Sequence, residues 1–389
     1  MEKDKSRKNG KQLPGSAVES LRDLRSNIDK IDREILKILA KRQAEVEQMV
    51  SLKKAYNLPV YHPAREEDMI SDRRRQAKEA GLDPDYPEEI FRTILRRSRV
   101  EQTDSMADKG IRSGSVVLLV GGTGGMGRYF HHWFSRSEYK VRSMGSRDWH
   151  KIDALCDGVD LAVISVPIDV TVPVIHKIAP HLHPDCLLTD LTSIKGPPVK
   201  AMLESHAGPV IGLHPLFGPT TSTMDKQIVV VTPGRDPEAS QWLYDQFVAW
   251  GALLVEADAG DHDEIMAIVQ SLRHFATFCF GQFLHRRKVD LARTLDFSSP
   301  IYRLELGMVG RLFAQDPSLY AEIIFASPER RALLKDYLSS IRENLMMIEK
   351  GDKEAFKEQF NRISEWFGPF SGQAMRESSF LIDKLIERF

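Results

Sequence analysis

The sequence predicts a multidomain chain with an all-α N-terminal domain, a doubly wound α/β domain and an all-α C-terminal domain. Three observations support this order. From Leu21 apolar residues recur every three or four positions, with no Gly or Pro until Pro59. From Val116 short apolar strands alternate with helices, and from about Asp261 the pattern is helical to Phe389. We therefore assign residues 1–17 to a disordered tail and residues 18–105, 106–260 and 261–389 to the three domains.

The composition limits the classes of function. The chain has 54 Lys and Arg against 55 Asp and Glu, which excludes the basic surface of a general nucleic-acid binder. Cys156, Cys186 and Cys279 form no CxxC pair, so neither a disulfide framework nor a metal site is predicted. The three cysteines fit a location in the reducing cytoplasm. Neither a signal peptide nor a membrane span is present in the sequence. We expect a soluble protein that acts on small molecules.

The N-terminal domain begins with one long helix of about 35 residues, which rises roughly 50 Å. Pro59 and Pro63 end it. A second helix is predicted from about Arg65 to Glu79 and a third, after the turn at residues 81–87, to about Gln102. Two shorter helices cannot cover the first, so we expect a partner chain to cover the rest. Residues 103–114 are small and polar and are predicted to form a linker.

Cations interrupt the apolar face of the long helix. Arg42 stands where an apolar residue is due, and an unpaired buried guanidinium would be costly. Lys53 lies about 20° away around the same helix. Arg25 precedes them, and Arg65 follows the break at Pro63. Each alone could be solvated, with its stem on the apolar surface. The four together favour an anionic ligand.

These residues carry a resemblance. Residues 24–42, Lys53, residues 64–66 and Ser98 to Gln102 are similar to the all-helical chorismate mutases, intertwined dimers that convert chorismate to prephenate. The resemblance implies that Arg25, Arg42 and Arg65 bind the carboxylates of the substrate. It also implies that Lys53 and Gln102 donate to the ether oxygen. Glu66 then binds the hydroxyl, and Ser98 is a supporting residue. The resemblance also implies that Arg25 reaches the partner's site. His62 departs from the pattern, since some relatives have an aspartate there.

The chemistry of that family explains the residue types. A pericyclic rearrangement transfers no proton and needs no nucleophile, so the protein must hold the reactive conformer and stabilise charge on the ether oxygen. Cations and an amide donor do both.

A glycine-rich turn opens the second domain. The strand at residues 116–120 leads into a GxGxxG turn formed by Gly122, Gly124 and Gly127, and a helix follows. The glycines allow a tight turn and close approach of a pyrophosphate to the helix N-terminus. This context predicts a Rossmann domain with a parallel sheet. Its further strands are predicted at residues 139–144, 161–166, 186–191, 210–213 and 228–232.

The end of the second strand leaves the cofactor open between NAD and NADP. An acid usually binds the ribose 2′-hydroxyl there, but this chain has Gly145. Ser146 and Arg147 could bind a 2′-phosphate, which would favour NADP. Alternatively, Asp148 replaces the acid from one turn later, or NAD is held by its other contacts.

Three further segments follow strands, at the edge where ligands bind in open α/β sheets. Ser165 and Pro167 line the nicotinamide ribose or form only a turn. Residues 190–196 and 212–219 follow the fourth and fifth strands. A lone histidine is often a packed core residue, but the Gly and Pro residues around His214 favour a site.

Two arginines lie in the helical C-terminal part. Arg303 and Arg311 are about 80° apart around one helix. Either could pair with Glu305 or a more distant acid, or bind a planar carboxylate bidentately.

From about residue 115 these segments resemble prephenate dehydrogenases, and the whole chain resembles the bifunctional chorismate mutase/prephenate dehydrogenases of tyrosine biosynthesis. The resemblance implies NAD-dependent oxidative decarboxylation of prephenate to 4-hydroxyphenylpyruvate, a homodimer and feedback inhibition by L-tyrosine. It matches the catalytic histidine to His214, the hydroxyl-binding serine to Ser193 and the ring-carboxylate arginine to Arg311. The second candidates are Lys195, Arg303, His262 and His274, and only one of these two histidines should face the pocket. A histidine that titrates near neutrality suits removal of the hydroxyl proton during hydride transfer.

One alternative has a different class of function for the N-terminal helices. In it the dehydrogenase, acting on prephenate or arogenate, is the only enzyme, and the helices dimerise and sense a ligand. The intact set of cations disfavours this alternative.

Overall fold

The structure, a computed structural model, describes residues 15–56 and 60–386. These residues form two compact units. The helical unit contains the described residues up to Lys109, together with Ser222–Lys226 and Gln246–Ala252. The sheet unit contains Gly110–Thr221, Gln227–Asp245 and the described residues from Leu253 onward. The predicted C-terminal domain therefore clusters with the sheet, and two short segments of the predicted α/β domain cluster with the N-terminal helices.

The helical unit is built on three helices, α1 (Gly15–Ala55), α2 (Pro63–Glu79) and α3 (Asp85–Met106). The 41-residue α1 begins before the predicted end of the tail, because no Gly or Pro follows Gly15 until Pro59. The rest of the predicted tail lies outside the described residues.

The third helix also exceeds its predicted length and enters the predicted linker. Thr103 is completely buried, and Met106 packs against Val50 and Val60. Burial of these side chains favours the helix over a linker, so the linker begins only after Met106.

An apolar stripe on α1 remains exposed in the single chain. Its residues are 50 to 65 % exposed and comprise Leu24, Ile28, Ile31, Ile35 and Ile38. A contiguous apolar surface of this kind marks an interaction site. Coverage by a partner chain stays a prediction.

The sheet unit contains one seven-stranded sheet in the order β2-β1-β3-β4-β5-β6-β7. The strands are β1 (Val116–Val120), β2 (Lys140–Met144), β3 (Leu161–Ile164), β4 (Leu187–Asp190), β5 (Val210–Pro215), β6 (Ile228–Pro233) and β7 (Leu253–Glu256). All six predicted strands are present. The partly exposed β7 was not predicted, because only a short apolar run marks it.

The predicted parallel sheet is confirmed, and it contains one antiparallel pair of strands. The first five strands are parallel, but β6 runs antiparallel to β5, and β7 is parallel to β6. No helix lies between β5 and β6, and a parallel pair needs such a crossover connection.

Helices cover the central strands, which explains their continuous apolar sequences. The strands β3 and β4 are buried along their whole length, as strands between two helical layers are. The helices between strands are α4 (Gly125–Arg136), α5 (Ile152–Cys156), α6 (Ile168–Ile178), α7 (Gly196–Ser205) and α8 (Pro237–Ala249).

The C-terminal part of the sheet unit is helical, as predicted. Its helices are α9 (Ala259–Met266), α10 (Arg273–Arg286), α11 (Leu291–Asp296), α12 (Pro300–Phe313), α13 (Pro317–Phe325), α14 (Pro328–Glu349), α15 (Lys353–Phe367) and α16 (Pro369–Ile386). A π-helical segment, Ala267–Leu272, joins α9 to α10. Ser299, Asp316 and Ser327 cap helices that start with proline. Within the described chain, no helix combines the length and apolarity needed to cross a membrane.

Candidate active sites

Two cation–acceptor pairs join α1 to α3 in the helical unit. Arg42 Nη1 donates to Ser98 Oγ at 2.7 Å, and Lys53 Nζ donates to Gln102 Oε1 at 3.1 Å. Lys53 also donates to the carbonyl oxygen of Val60 at 2.8 Å. Ser98 and Gln102 are buried and lie one turn apart on α3. The structure thus brings together four of the residues predicted for an anion site.

Both cations of these pairs lose hydration without gaining a carboxylate at contact distance among the described residues. Burial lowers the pKa of Arg42, and burial also lowers the pKa of Lys53, with partial opposition from the Glu66 carboxylate. A bound anion would offset this desolvation, so the pairs form a site suited to a negatively charged ligand.

The carboxylate of Glu66 is held by a residue that the sequence did not indicate. Arg99 Nη1 donates to both Glu66 oxygens, at 2.6 and 2.7 Å, and Arg99 Nε donates to Asp225. Arg99 and Asp225 are 126 positions apart and neither belongs to a motif, so no local pattern could have linked them.

The other predicted residues of this site lie on the surface of the single chain. Arg25 is exposed on α1, and Arg65 is exposed on α2. The ring of His62 caps α2, because its Nδ1 accepts the backbone N–H of Arg65 at 3.2 Å. His62 therefore has a helix-capping function where some relatives have an aspartate.

The glycine turn after β1 is packed backbone against backbone. A Cβ at Gly122 would lie 2.5 Å from Ser143 Oγ, and a Cβ at Gly127 would lie 2.3 Å from the carbonyl oxygen of Gly121. Gly121 itself has φ +89°, and a Cβ there would lie 2.2 Å from the carbonyl oxygen of Ser165. Gly124 is the N-cap of α4. This cradle fits the pyrophosphate of a dinucleotide, which needs close backbone approach at a helix N-terminus.

A carboxylate is present at the end of β2 although Gly145 is not an acid. The Gly145 N–H donates to Asp148 Oδ2 at 2.9 Å, which folds the carboxylate back to the strand end. Ser146 and Arg147 are exposed. At the end of β3 the Ser165 N–H bonds the carbonyl of Val120, and the carbonyl of Pro167 accepts a bond from the first turn of α6.

A chain of hydrogen bonds runs from His214 on β5 to Asp263 on α9. His214 Nδ1 lies 2.9 Å from His262 Nε2, and His262 Nδ1 lies 2.8 Å from Asp263 Oδ1. Asp263 also accepts the backbone N–H groups of Lys195 and Gly196, at 2.8 and 2.9 Å. Burial acts to raise the pKa of Asp263, but the hydrogen bonds from His262, Gly196 and Lys195 lower it overall.

The ionised carboxylate fixes the tautomer of both histidines. Because it accepts only, His262 must carry its proton on Nδ1 and accept on Nε2. His214 must then donate from Nδ1, which leaves a lone pair on Nε2. Gln270 Nε2 lies 3.2 Å from this atom and can donate to it. His214 therefore presents a basic nitrogen on the side away from Asp263.

His214 is neutral at physiological pH. Burial lowers its pKa well below the usual 6.5, and the positive charges of Lys195 and Arg330 act in the same direction. His214 is 2 % exposed. The site thus contains a neutral histidine with one unprotonated ring nitrogen.

Lys195 is one of the residues predicted to bind substrate, and its side chain lies inside the sheet unit. Its side chain is completely buried, forms a salt bridge with Asp190 and donates to the carbonyl of Leu213 at 2.7 Å. Burial lowers its pKa, and Asp190 opposes this. The ammonium bonds the backbone next to His214 and is buried in the single chain. Substrate binding by Lys195 stays a prediction.

Of the two second-choice histidines, only His262 contacts His214. His274 packs edge-on against Tyr320, with ring centroids 4.8 Å apart, and burial lowers its pKa to about 4. Ser193 is half-buried between β4 and α7. Arg303 donates to the carbonyl of Leu295 at 2.6 Å, and Arg311 is exposed on α12.

Sequence reasoning missed two residues near the histidines. Gln270 lies on the π-helical segment, whose altered repeat turns its amide toward His214. Arg330 is 2 % exposed and lines a cavity of about 650 Å³ with Asp263 and Ile194. Only the adjacency of His262 and Asp263 was visible in the sequence.

Comparisons with known proteins match both units. Three family models match consecutive segments, namely chorismate mutase type II (residues 24–103), the nucleotide-binding domain of prephenate dehydrogenase (residues 138–255) and the dimerization domain of prephenate dehydrogenase (residues 258–362). The T-protein of Enterobacter agglomerans is 44 % identical over 94 % of this chain and 98 % of its own length. The T-protein of Haemophilus influenzae is 40 % identical over 95 % and 98 %.

A solved structure supports the fold of the sheet unit. It is the prephenate dehydrogenase of Aquifex aeolicus in complex with hydroxyphenyl propionate and NAD⁺. The TM-score is 0.53 at 19 % identity, with coverage of 65 % of this chain and 97 % of that one.

The depressed pKa of His214 predicts that its imidazole stays neutral from pH 8 to pH 6. In histidine-labelled protein, the NMR signal that disappears in His214→Asn should not shift over this range, whereas all histidines of the urea-unfolded chain should titrate near 6.5. Since the folded-state pKa is the lower one, His214 contributes stability above pH 6.5 that is lost as pH falls toward the folded pKa. A signal with its midpoint between pH 6 and 7 would contradict the burial argument.

Proposed function

The chain belongs to the T-proteins, the bifunctional chorismate mutase/prephenate dehydrogenases of tyrosine biosynthesis, and we propose which of its side chains carry each of the two reactions. For the mutase, the assignment rests on the two hydrogen-bonded pairs Arg42–Ser98 and Lys53–Gln102. For the dehydrogenase, the chain from His214 through His262 to Asp263 carries it.

In the mutase site, Arg42 and Arg65 bind the carboxylates of chorismate, together with Arg25 from the other subunit. Lys53 and Gln102 donate to the ether oxygen. The contact between them supports this, because Lys53 occupies the Oε1 atom of Gln102 and so leaves the amide NH₂ to donate. Charge that develops on the ether oxygen as its C–O bond breaks then meets two fixed donors.

Replacing Arg42 by Ala should lower mutase kcat/KM by about 100-fold or more, because a carboxylate loses its charge-assisted donor and Ser98 loses its partner. The measurement is chorismate disappearance without nicotinamide cofactor. The exposed neighbour Lys41→Ala is the matched control and should keep full activity. Prephenate oxidation by Arg42→Ala should remain normal, which shows that the sheet unit is folded. Retained mutase activity in Arg42→Ala would refute the assignment.

In the dehydrogenase site, His214 Nε2 accepts the proton of the prephenate 4-hydroxyl. The C–O bond becomes a carbonyl as the hydride leaves the same carbon, and loss of CO₂ then makes the ring aromatic. NAD⁺, when bound at the glycine cradle, supplies the hydride acceptor. His262 and Asp263 stabilise the imidazolium through Nδ1. Ser193 binds the hydroxyl and Arg311 binds the ring carboxylate. Arg303, whose guanidinium bonds the carbonyl of Leu295, is the second candidate for the carboxylate.

His214→Asn should lower dehydrogenase kcat by about 100- to 10,000-fold with little change in the KM for prephenate, because it removes the base and leaves the carboxylate contacts. Initial rates of NADH formation at varied prephenate give both constants. His274→Asn provides the comparison, since His274 packs on Tyr320 and should change kcat little. Equal kcat in His214→Asn and the unaltered enzyme would remove His214 from the mechanism.

We propose NAD as the cofactor. The supporting observation is the Asp148 carboxylate at the Gly145 N–H, where a ribose 2′-hydroxyl can donate to it and a 2′-phosphate would be repelled. Ser146 and Arg147 are exposed, and they are the residues that would bind the 2′-phosphate if the cofactor were NADP.

NAD⁺ should therefore give a higher kcat/KM than NADP⁺ in initial-rate measurements at saturating prephenate. Asp148→Asn should lower the ratio of kcat/KM for NAD⁺ to kcat/KM for NADP⁺ by about 10-fold. The 2′-hydroxyl of NAD⁺ loses a carboxylate acceptor, and the 2′-phosphate of NADP⁺ is no longer repelled by a negative charge. A native preference for NADP⁺ would overturn the assignment to NAD.

Three further properties belong to the proposal. The exposed apolar stripe on α1 and the match to a dimerization domain support a homodimer. L-Tyrosine shares the phenol ring and carboxylate of the product and is proposed as a feedback inhibitor. Cys156, Cys186 and Cys279 are free thiols, which suits a cytoplasmic location.

A further inference from the structure

The Glu66 carboxylate of the mutase site is held in a fixed orientation. One nitrogen of Arg99 bonds both of its oxygens, at 2.6 and 2.7 Å. An ionised carboxylate has about four lone-pair positions, so this contact leaves room to accept a substrate hydroxyl. The orientation of Glu66 therefore depends on where Arg99 is fixed.

Arg99 is in turn anchored by Asp225. Its Nε lies 2.9 and 3.2 Å from the two Asp225 oxygens, and the two residues are 6 % and 8 % exposed. Burial acts to lower the pKa of Arg99, but the bonds to Asp225 and Glu66 raise it above its ordinary value. A buried guanidinium that spans two carboxylates has little freedom to rotate.

The backbone around Asp225 is itself fixed inside the helical unit. The neighbouring Lys226 N–H donates to the carbonyl of Gly251 at 2.9 Å. Gly251 has φ +89°, and a Cβ there would lie 3.0 Å from Thr103 Oγ1 and 3.3 Å from the Cα of Asp225. The anchor thus sits on a close backbone contact that only glycine allows.

The charges of this cluster balance. Arg99 and Lys226 oppose Glu66 and Asp225, and Lys226 Nζ lies 3.6 Å from Glu66. The ring of Tyr61 contacts both cations, with Arg99 Cζ 5.5 Å and Lys226 Nζ 4.2 Å from its centroid. A cluster without net charge does not repel an anionic substrate.

Without this anchor, Glu66 has an attractive alternative partner. Its charge already acts on Lys53, whose hydrogen bonds within residues 15–56 and 60–386 go to neutral acceptors, Gln102 and the carbonyl of Val60. An ion pair between Glu66 and Lys53 would remove a donor from the ether oxygen and an acceptor from the hydroxyl.

We propose that Arg99, anchored by Asp225, is a positioning residue of the mutase that fixes Glu66 for the substrate hydroxyl and keeps it away from Lys53. This inference rests on the proposed function of Glu66. It adds to the site two residues that do not touch the substrate.

The test compares Glu66→Gln, Arg99→Met, Arg99→Lys, Asp225→Asn and the double variant Glu66→Gln/Arg99→Met in the full chain. Arg99→Met and Asp225→Asn should each lower mutase kcat by about 10-fold or more with KM within about 3-fold, because Lys53 acts mainly in the transition state. Arg99→Lys should be intermediate, since an ammonium cannot span both carboxylates. Prephenate oxidation should be unchanged in all five.

The double variant separates positioning from a merely structural function. If Arg99 acts through Glu66, adding Arg99→Met to the Glu66→Gln variant should lower mutase kcat by less than about 3-fold. Equal losses in both backgrounds would overturn the inference. So would full mutase activity in Asp225→Asn and Arg99→Lys, the two variants least disturbing to folding, while Glu66→Gln is impaired. Full activity in Glu66→Gln would instead refute the proposed function of Glu66 itself.

Discussion

The carboxylate of Asp263 determines how the hydrogen bonds of the dehydrogenase site are arranged. It accepts the first N–H groups of α7 and the Nδ1 proton of His262, so one acceptor connects the start of a helix to the histidine chain. An acceptor-only group at the end of such a chain leaves one arrangement of protons, and that arrangement makes Nε2 of His214 an acceptor, next to the Gln270 amide. The buried Lys195–Asp190 pair adds a second constraint, since Lys195 also bonds the backbone of β5 at the residue before His214.

The mutase site depends on the same physical constraint applied to a different chemistry. A buried charge is stable only where every partner is in place, so Asp225, Arg99 and Glu66 restrict one another. In the proposed dehydrogenase mechanism the chain of bonds ends at a base that moves a proton. In the proposed mutase mechanism it ends at an acceptor that only holds a hydroxyl, because the rearrangement moves no proton.

The sequence predicted the parts of both sites that lie within single elements. Arg42 and Lys53 share one helix face and the glycine turn follows its strand, so local spacing was enough. Ser98 and Gln102 came from the resemblance to chorismate mutases. The pairs that cross between elements could not be predicted, because packing decides them. Spacing along the chain contains no information on the Arg99–Asp225 contact, the burial of Lys195 or the orientation of Gln270.

The low pKa of His214 raises the question of how a weak base assists hydride transfer. Lys195 and Arg330 lower that pKa in the free protein, as burial does. In the proposed mechanism prephenate brings two carboxylates into the site, and negative charge near His214 would oppose those cations and favour the imidazolium. His214 would then stay neutral until the substrate that needs a base is bound. Under this proposal the energy of binding an anion is used where charge develops, in the transition state, rather than in the ground state.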